Sequence, residues 1–150
     1  MEEKGTGVAE LLGQHRYQLD AKGRIVLPAK YRDAFKAGVF LTLGQDGCLF
    51  AYPKDEWQRR GTEVRSSPLS GQEARNYARM FFGNAERVDL DSQGRLVIPQ
   101  TLRARVGLDR EAIVLGVGER LEIWAGPAWD HYEQGLVGAY VSGALRPEPS

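Results

Sequence analysis

Arg24 and Arg95 each follow an aspartate by four residues, in two near-copies of one decapeptide: "LDAKGRIVLP" from Leu19 to Pro28 and "LDSQGRLVIP" from Leu90 to Pro99. An Asp, a Gly and an Arg at this spacing are turn chemistry. The carboxylate accepts hydrogen bonds from its own turn backbone, glycine tolerates positive φ, and the arginine begins a strand at a loop tip. Asp20, Gly23, Asp91 and Gly94 are therefore expected to stabilise two equivalent turns. A guanidinium held at such a tip offers a planar fork of donors that suits phosphates and base edges. An Asp20–Arg24 or Asp91–Arg95 pair on a surface is worth only ~0–1 kcal/mol, so packing does not require the arginine twice.

Other cations surround the first arginine. Lys22, Arg16, Lys30 and Arg32 lie close to Arg24 in sequence and make a candidate phosphate footprint. Arg103 and Arg105 are placed to serve similarly in the second half. The formal net charge of the chain is zero, but charge is segregated. Gln14 to Lys36 carries six Lys/Arg against two Asp, and Gln58 to Phe82 five Arg against two Glu. Leu108 to Ser150 carries three Arg against seven acids. A basic front and an acidic rear suit a polyanionic partner better than the net value suggests.

Catalytic chemistries fit the residues poorly. The only histidines are His15 and His131, outside any ligand-spaced cluster, and Cys48 is the only cysteine, so neither a zinc site nor an internal disulfide is expected. No phosphate-binding G-x-x-x-x-G-K-[ST], no G-x-G-x-x-G after a strand and no G-x-S-x-G elbow occurs. Asp20 and Asp91 are equivalent carboxylates that a two-fold axis could bring together. An aspartic-protease dyad, however, has Ser or Thr and then Gly directly after each Asp, and here glycine comes one place too late. The expectation is a non-enzyme with no catalytic residue, cofactor or metal.

The elements that must carry the two turns repeat with them. Tyr17–Phe35 aligns with Val88–Val106 with seven identities in nineteen positions. With one inserted residue the match resumes at Leu49/Leu121, Tyr52/Trp124 and Trp57/Trp129. In each copy short β-prone runs, "YQL" and "RIVL" in the first, flank the turn. Pro28 or Pro99 ends the second strand and suits a helix start. "AKYRDAF" and "QTLRARV" read as one or two helical turns closed by Gly38 and Gly107. Two further strands follow, "VFLTL" and "CLFAY", or "AIVLGV" and "RLEIWA". Four short strands leave open edges and one uncovered apolar face. Two copies can cover each other, so the duplication is expected to build a pseudo-two-fold β-barrel core.

The intervening segments read as helices: "PKDEWQRRGTEV" from Pro53, then "ARNYARMFF" behind a Ser70–Glu73 capping box and ending at Gly83. A glycine-bearing helix follows Pro127, and "RPEPS" is a frayed end. The fold class is thus mainly β with short helices, α+β. Residues 14–56 form unit 1, 57–84 a helical connector, 85–128 unit 2, and 129–150 a C-terminal helix and tail. With 42% apolar residues a core can be buried. The acidic start "MEEKGTGVAELLGQ" is not a signal peptide, and no apolar run is long enough for a bilayer, which predicts a soluble cytoplasmic protein.

The D-x-x-x-R turn followed by "LP" or "IP" resembles the swapped-hairpin fold of SpoVT-AbrB-type DNA-binding proteins. Two copies in one chain, with "YPKDEW" closing the first, resemble the MraZ family of bacterial transcriptional regulators, over residues from about 13 to 130. The resemblance implies two AbrB-like units that bind double-stranded DNA at repeated promoter boxes. It implies control, as a repressor, of the division and cell-wall gene cluster that includes the chain's own gene. It further implies assembly into a ring-shaped homo-oligomer, a nucleoid-associated location, and no membrane or small-molecule partner. The family's DNA-contacting arginine falls on Arg24 and Arg95. Gln93 stands where the first turn has Lys22, which makes the second turn less basic. Met80, Phe81 and Phe82 serve either subunit contacts or the chain's own core. The alternative is an AbrB-fold interaction module, such as an antitoxin-like partner.

Overall fold

The computed structural model describes residues 10–68 and 70–149. The start of the chain through residue 9, where the absence of a signal peptide was expected, lies outside them. Among the described residues eight strands form: β1 (Leu11–Gln18), β2 (Arg24–Val26), β3 (Val39–Leu43), β4 (Leu49–Tyr52), β5 (Glu86–Val88), β6 (Arg95–Val97), β7 (Glu111–Gly118) and β8 (Leu121–Ala125). The helices are α1 (Ala29–Arg32, continued by a 3-10 turn at Asp33–Phe35), α2 (Lys54–Ser66), α3 (Gln72–Gly83), α4 (Gln100–Val106), α5 (Gly126–Gln134) and α6 (Val137–Val141).

Six strands make one antiparallel sheet in the order β1-β7-β8-β4-β3-β5, and β2 and β6 make a separate two-stranded ribbon. Exchanging the two sequence copies maps β1 onto β5, β3 onto β7 and β4 onto β8. That exchange reverses the sheet order and leaves it unchanged, so a pseudo-two-fold axis passes between β4 and β8, where Leu49 faces Ile123 and Ala51 faces Leu121. Each copy's outer strand joins the other copy: β1 pairs with β7 and β5 with β3.

Strands covered on both faces should read as continuous apolar runs rather than alternating ones, and "LFAY" is buried at every position. On one face Leu41, Leu49, Ala51, Val114, Leu121 and Ile123 meet Ile25, Leu27, Leu96 and Ile98 from around the ribbon, with Tyr31, Phe35, Leu102 and Val106 from the short helical segments. On the other face Phe50, Tyr52, Ile113 and Trp124 pack with Val64, Phe81 and Trp129 of α2, α3 and α5. The result has three layers: ribbon and short helices, sheet, and longer helices. Thr42 Oγ1 donates to the Phe81 carbonyl at 2.6 Å inside the second interface. There Phe81 is buried, Phe82 is partly buried, and Met80 remains exposed.

The α+β class holds, but the expected barrel does not close. β1 and β5 are the two ends of the sheet and do not pair. The ribbon lies over the face that barrel closure would have enclosed, and burial of Ile25 and Leu96 beneath it removes the drive to close. Other local expectations shift for identifiable reasons. α3 is capped by Gly71 in extended geometry, with no side-chain cap bond, so the Ser70–Glu73 box does not form. The C-terminal helix is two short pieces that break at Gly135 and Leu136, where glycine's low helix propensity operates. β1 extends well beyond "YQL" because its whole length has a ladder partner in β7. Gly107 does close α4, in the left-handed conformation with φ 68°. No described helix is long and apolar enough to cross a membrane.

Candidate nucleic-acid interface

The two decapeptides fold into turns with the same hydrogen bonds. Asp20 Oδ1 accepts the amides of Lys22 and Arg24, both at 2.9 Å, and Oδ2 accepts Arg24 Nε at 2.7 Å. Asp91 accepts Gln93, Arg95 and Arg95 Nε at 2.9, 2.8 and 2.6 Å. The Gly23 amide donates to the Asp20 carbonyl, as Gly94 does to Asp91. The glycines have φ of 75° and 76°, the left-handed region in which a side chain is strained. Hydrogen bonds from the Arg24 backbone amide above all, then from its side chain and from Lys22, hold the Asp20 carboxyl below its ordinary value. Asp91 is lowered in the same way by Arg95 and Gln93.

Each turn looks locally like a hairpin, but its arms diverge into different layers. β2 pairs with β6, with Arg24 opposite Val97, Ile25 opposite Leu96 and Val26 opposite Arg95. Side chains alternate across a strand, so Ile25 and Leu96 face the core while the other four share the outward face. Val26 and Val97 are each 44% exposed. The side chains of Arg24 and Arg95 are 21% and 30% exposed, so each reaches the surface in part. The ribbon continues into the turns through Leu27 N–H to the Gly94 carbonyl and Ile98 N–H to the Gly23 carbonyl, both at 3.0 Å.

The remaining candidate cations are divided. Lys22 stands exposed on the first turn and Lys30 at the surface of α1, its Nζ 5.2 Å from the centre of the Tyr31 ring. Arg16 lies on β1 and is engaged by Glu111 at 2.7 Å and Asp130 at 2.9 Å, fastening β1 to β7 and α5. Arg32 and Arg103 are partly buried, and their Nε atoms donate to the carbonyls of Leu27 and Ile98. The sequence missed Val26 and Val97 as members of the outward face. The signal was present, because each lies two positions from its arginine in a strand. Among the described residues no group of three or more His, Cys, Asp or Glu side chains is placed to hold a metal ion.

The core is thus duplicated, its outer strands exchanged between the copies, and it carries an arginine-bearing ribbon. The family model described as "MraZ protein, putative antitoxin-like" matches residues 11–80 and again 81–139. The chain is 43% identical to the "Transcriptional regulator MraZ" of Syntrophomonas wolfei subsp. wolfei over 129 residues, 86% of this chain and 90% of that one. It is 45% identical to the protein of the same name from Clavibacter michiganensis subsp. michiganensis over 121 residues, 81% of this chain and 85% of that one. The chain belongs to the MraZ family.

Proposed function

We propose that the chain is a transcriptional regulator that binds double-stranded DNA through the outward face of the β2–β6 ribbon and its two turns. The observation that carries this reading is the pair of aspartate-held arginines related by the pseudo-two-fold axis. A two-stranded ribbon fits the major groove, as β-ribbon readers do. Asp20 and Asp91 engage Nε, and the terminal amino groups of each fork serve an outside acceptor such as guanine O6 and N7. Lys22 and Lys30 supply phosphate contacts, which give affinity without sequence choice. The first turn leads because Gln93 removes a cation from the second.

On this reading the chain works in the cytoplasm at the nucleoid, as a non-enzymatic repressor of a division and cell-wall promoter that includes its own gene. One chain presents a small surface, so useful affinity comes from several copies on repeated boxes, by effective concentration. Ring assembly is the arrangement proposed. It is supported by the open edges at β1 and β5 and by exposed apolar side chains on and after α6, among them Tyr140, Val141 and Leu145.

Selection of bound fragments from random duplex DNA tests the reading. Enrichment of a short box is expected, occurring as spaced repeats in the longer fragments. Recovery of unenriched sequence, with a flat response of affinity to salt, would overturn it. The antitoxin-like alternative draws on the same exposed α6 residues. It would be favoured by a stoichiometric protein partner in the absence of DNA binding.

A further inference from the structure

We propose that Arg32 and Arg103 are positioning residues, each locking the turn of the opposite unit. Arg103 belongs to unit 2, yet its guanidinium lies flush on Gly23 of unit 1. A Cβ built on Gly23 would fall 2.5 Å from Arg103 Cζ, 2.7 Å from Nε and 2.8 Å from Nη1. Arg32 of unit 1 lies on Gly94 of unit 2 in the same way, with Cζ 2.5 Å and Cδ 2.8 Å from the corresponding point.

Each contact closes a circuit. The Ile98 N–H donates to the Gly23 carbonyl at 3.0 Å. The Ile98 carbonyl accepts Arg103 Nε at 2.8 Å, and the same guanidinium covers Gly23. In the partner circuit Leu27 N–H donates to the Gly94 carbonyl at 3.0 Å, and the Leu27 carbonyl accepts Arg32 Nε at 3.0 Å. A depression beside the second turn, lined by Arg32, Lys36, Asp91, Ser92 and Gly94, brings Arg32 against that turn.

The physical logic follows from the glycine. The turn needs a left-handed residue without a side chain, so it has no group of its own to pack it down. A planar cation, fixed at Nε by a ribbon carbonyl, fills the space a Cβ would take. Lysine cannot do this, because it has neither the plane nor the Nε donor. The sequence repeat makes Arg32 and Arg103 equivalent, and the chain swap makes each act across the axis.

This inference rests on the DNA-binding reading for its functional consequence, but its first test does not. In Arg103→Lys, amide exchange should quicken at Lys22 and Arg24, whose amides are held by Asp20, and stay unchanged at Gln93 and Arg95. Arg32→Lys should do the reverse. Loosening of a variant's own turn, or of neither turn, overturns the proposal. The second test measures binding to a fixed fluorescent duplex recovered by selection on the wild-type chain. Arg103→Lys should cost about tenfold alone and in the Arg95→Ala background, but less than about twofold more in the Arg24→Ala background, because residues acting through one turn couple and separate sites add. The salt slope of Arg103→Lys should equal that of wild type. Unchanged affinity in Arg103→Lys, or a slope reduced by about 0.9 in Arg103→Ala, would identify a phosphate contact instead. If the wild type binds no duplex, the DNA-binding reading fails while the exchange result still decides the cross-unit lock.

Discussion

Arg24 and Arg95 occupy diagonal corners of one outward face, with Val97 and Val26 on the other diagonal. Diagonal neighbours on an antiparallel pair lie roughly 7–8 Å apart. Each guanidinium is kept from collapsing onto neighbouring acceptors because it is held by its own Asp at 2.6–2.7 Å. The pair contributes little to stability at a surface. Its effect is to fix the direction of a fork of donors before any partner arrives, which lowers the ordering cost of binding.

The asymmetry between the turns has a measurable signature. Lys22→Gln makes the first turn resemble the second. Binding should weaken similarly on all duplexes, and the slope of log affinity against log salt should fall by about one. A changed sequence preference with an unchanged slope would place Lys22 at a base edge instead.

Burial separates stability from binding along the same three-residue strand. Leu96→Ala removes a fully buried side chain from the core and should cost ~2–5 kcal/mol in denaturant unfolding. Val97→Ser, its outward neighbour, should cost under ~0.5 kcal/mol yet weaken duplex binding. Equal losses of stability in the two variants would refute the face assignment.

Acid should act through the two turn aspartates. Their folded carboxyls are held below the ordinary value of 3.8, so the unfolded chain binds protons more readily there. Their stabilisation is present in full above the unfolded value and is lost as pH falls below it through the folded values. Asp20→Asn should therefore melt at a lower temperature than wild type at pH 7, with the gap narrowing as pH drops below about 4. A gap that stays constant through that range would mean the charge is irrelevant.

His15, on the edge strand β1, should report on the packing of that strand against α1. Burial, then the nearby charge of Lys30, lowers its pKa from 6.5, and its ring packs against Tyr17 and Tyr31. Protonation favours the unfolded chain, so stability falls as pH drops from about 6.5 toward the folded value. In His15→Gln that part of the pH dependence should disappear. Identical thermal-melting profiles from pH 7 to 5 would contradict it.

Much of this was legible because it is local. Asp20, Gly23, Asp91 and Gly94 signal their turns by residue type, and the repeat displays the pseudo-symmetry directly. Strand partners were less legible. "YQL" and "RIVL" flank a tight turn and read as adjacent β-prone runs, but β1 pairs with β7 and β2 with β6. That choice is set by which apolar faces cover each other, and no window of sequence contains it. Arg16 and Arg32 show the same limit. Both read as members of the phosphate footprint around Arg24, whereas Glu111, Asp130 and Gly94, their spatial neighbours, lie 62 or more positions away. The Ser70–Glu73 pattern had the right spacing, but the helix starts one step later, behind Gly71.

On the proposed reading the ribbon arginines grip DNA. The direct measurement is duplex affinity of Arg24→Ala and of the Arg24→Ala/Arg95→Ala pair, alongside thermal melting of both. With each fork worth ~1–3 kcal/mol at a base edge, the single variant should lose about fivefold or more and the pair about thirtyfold or more, with melting temperature nearly unchanged. Affinity within about twofold of wild type in the folded double variant would contradict the account.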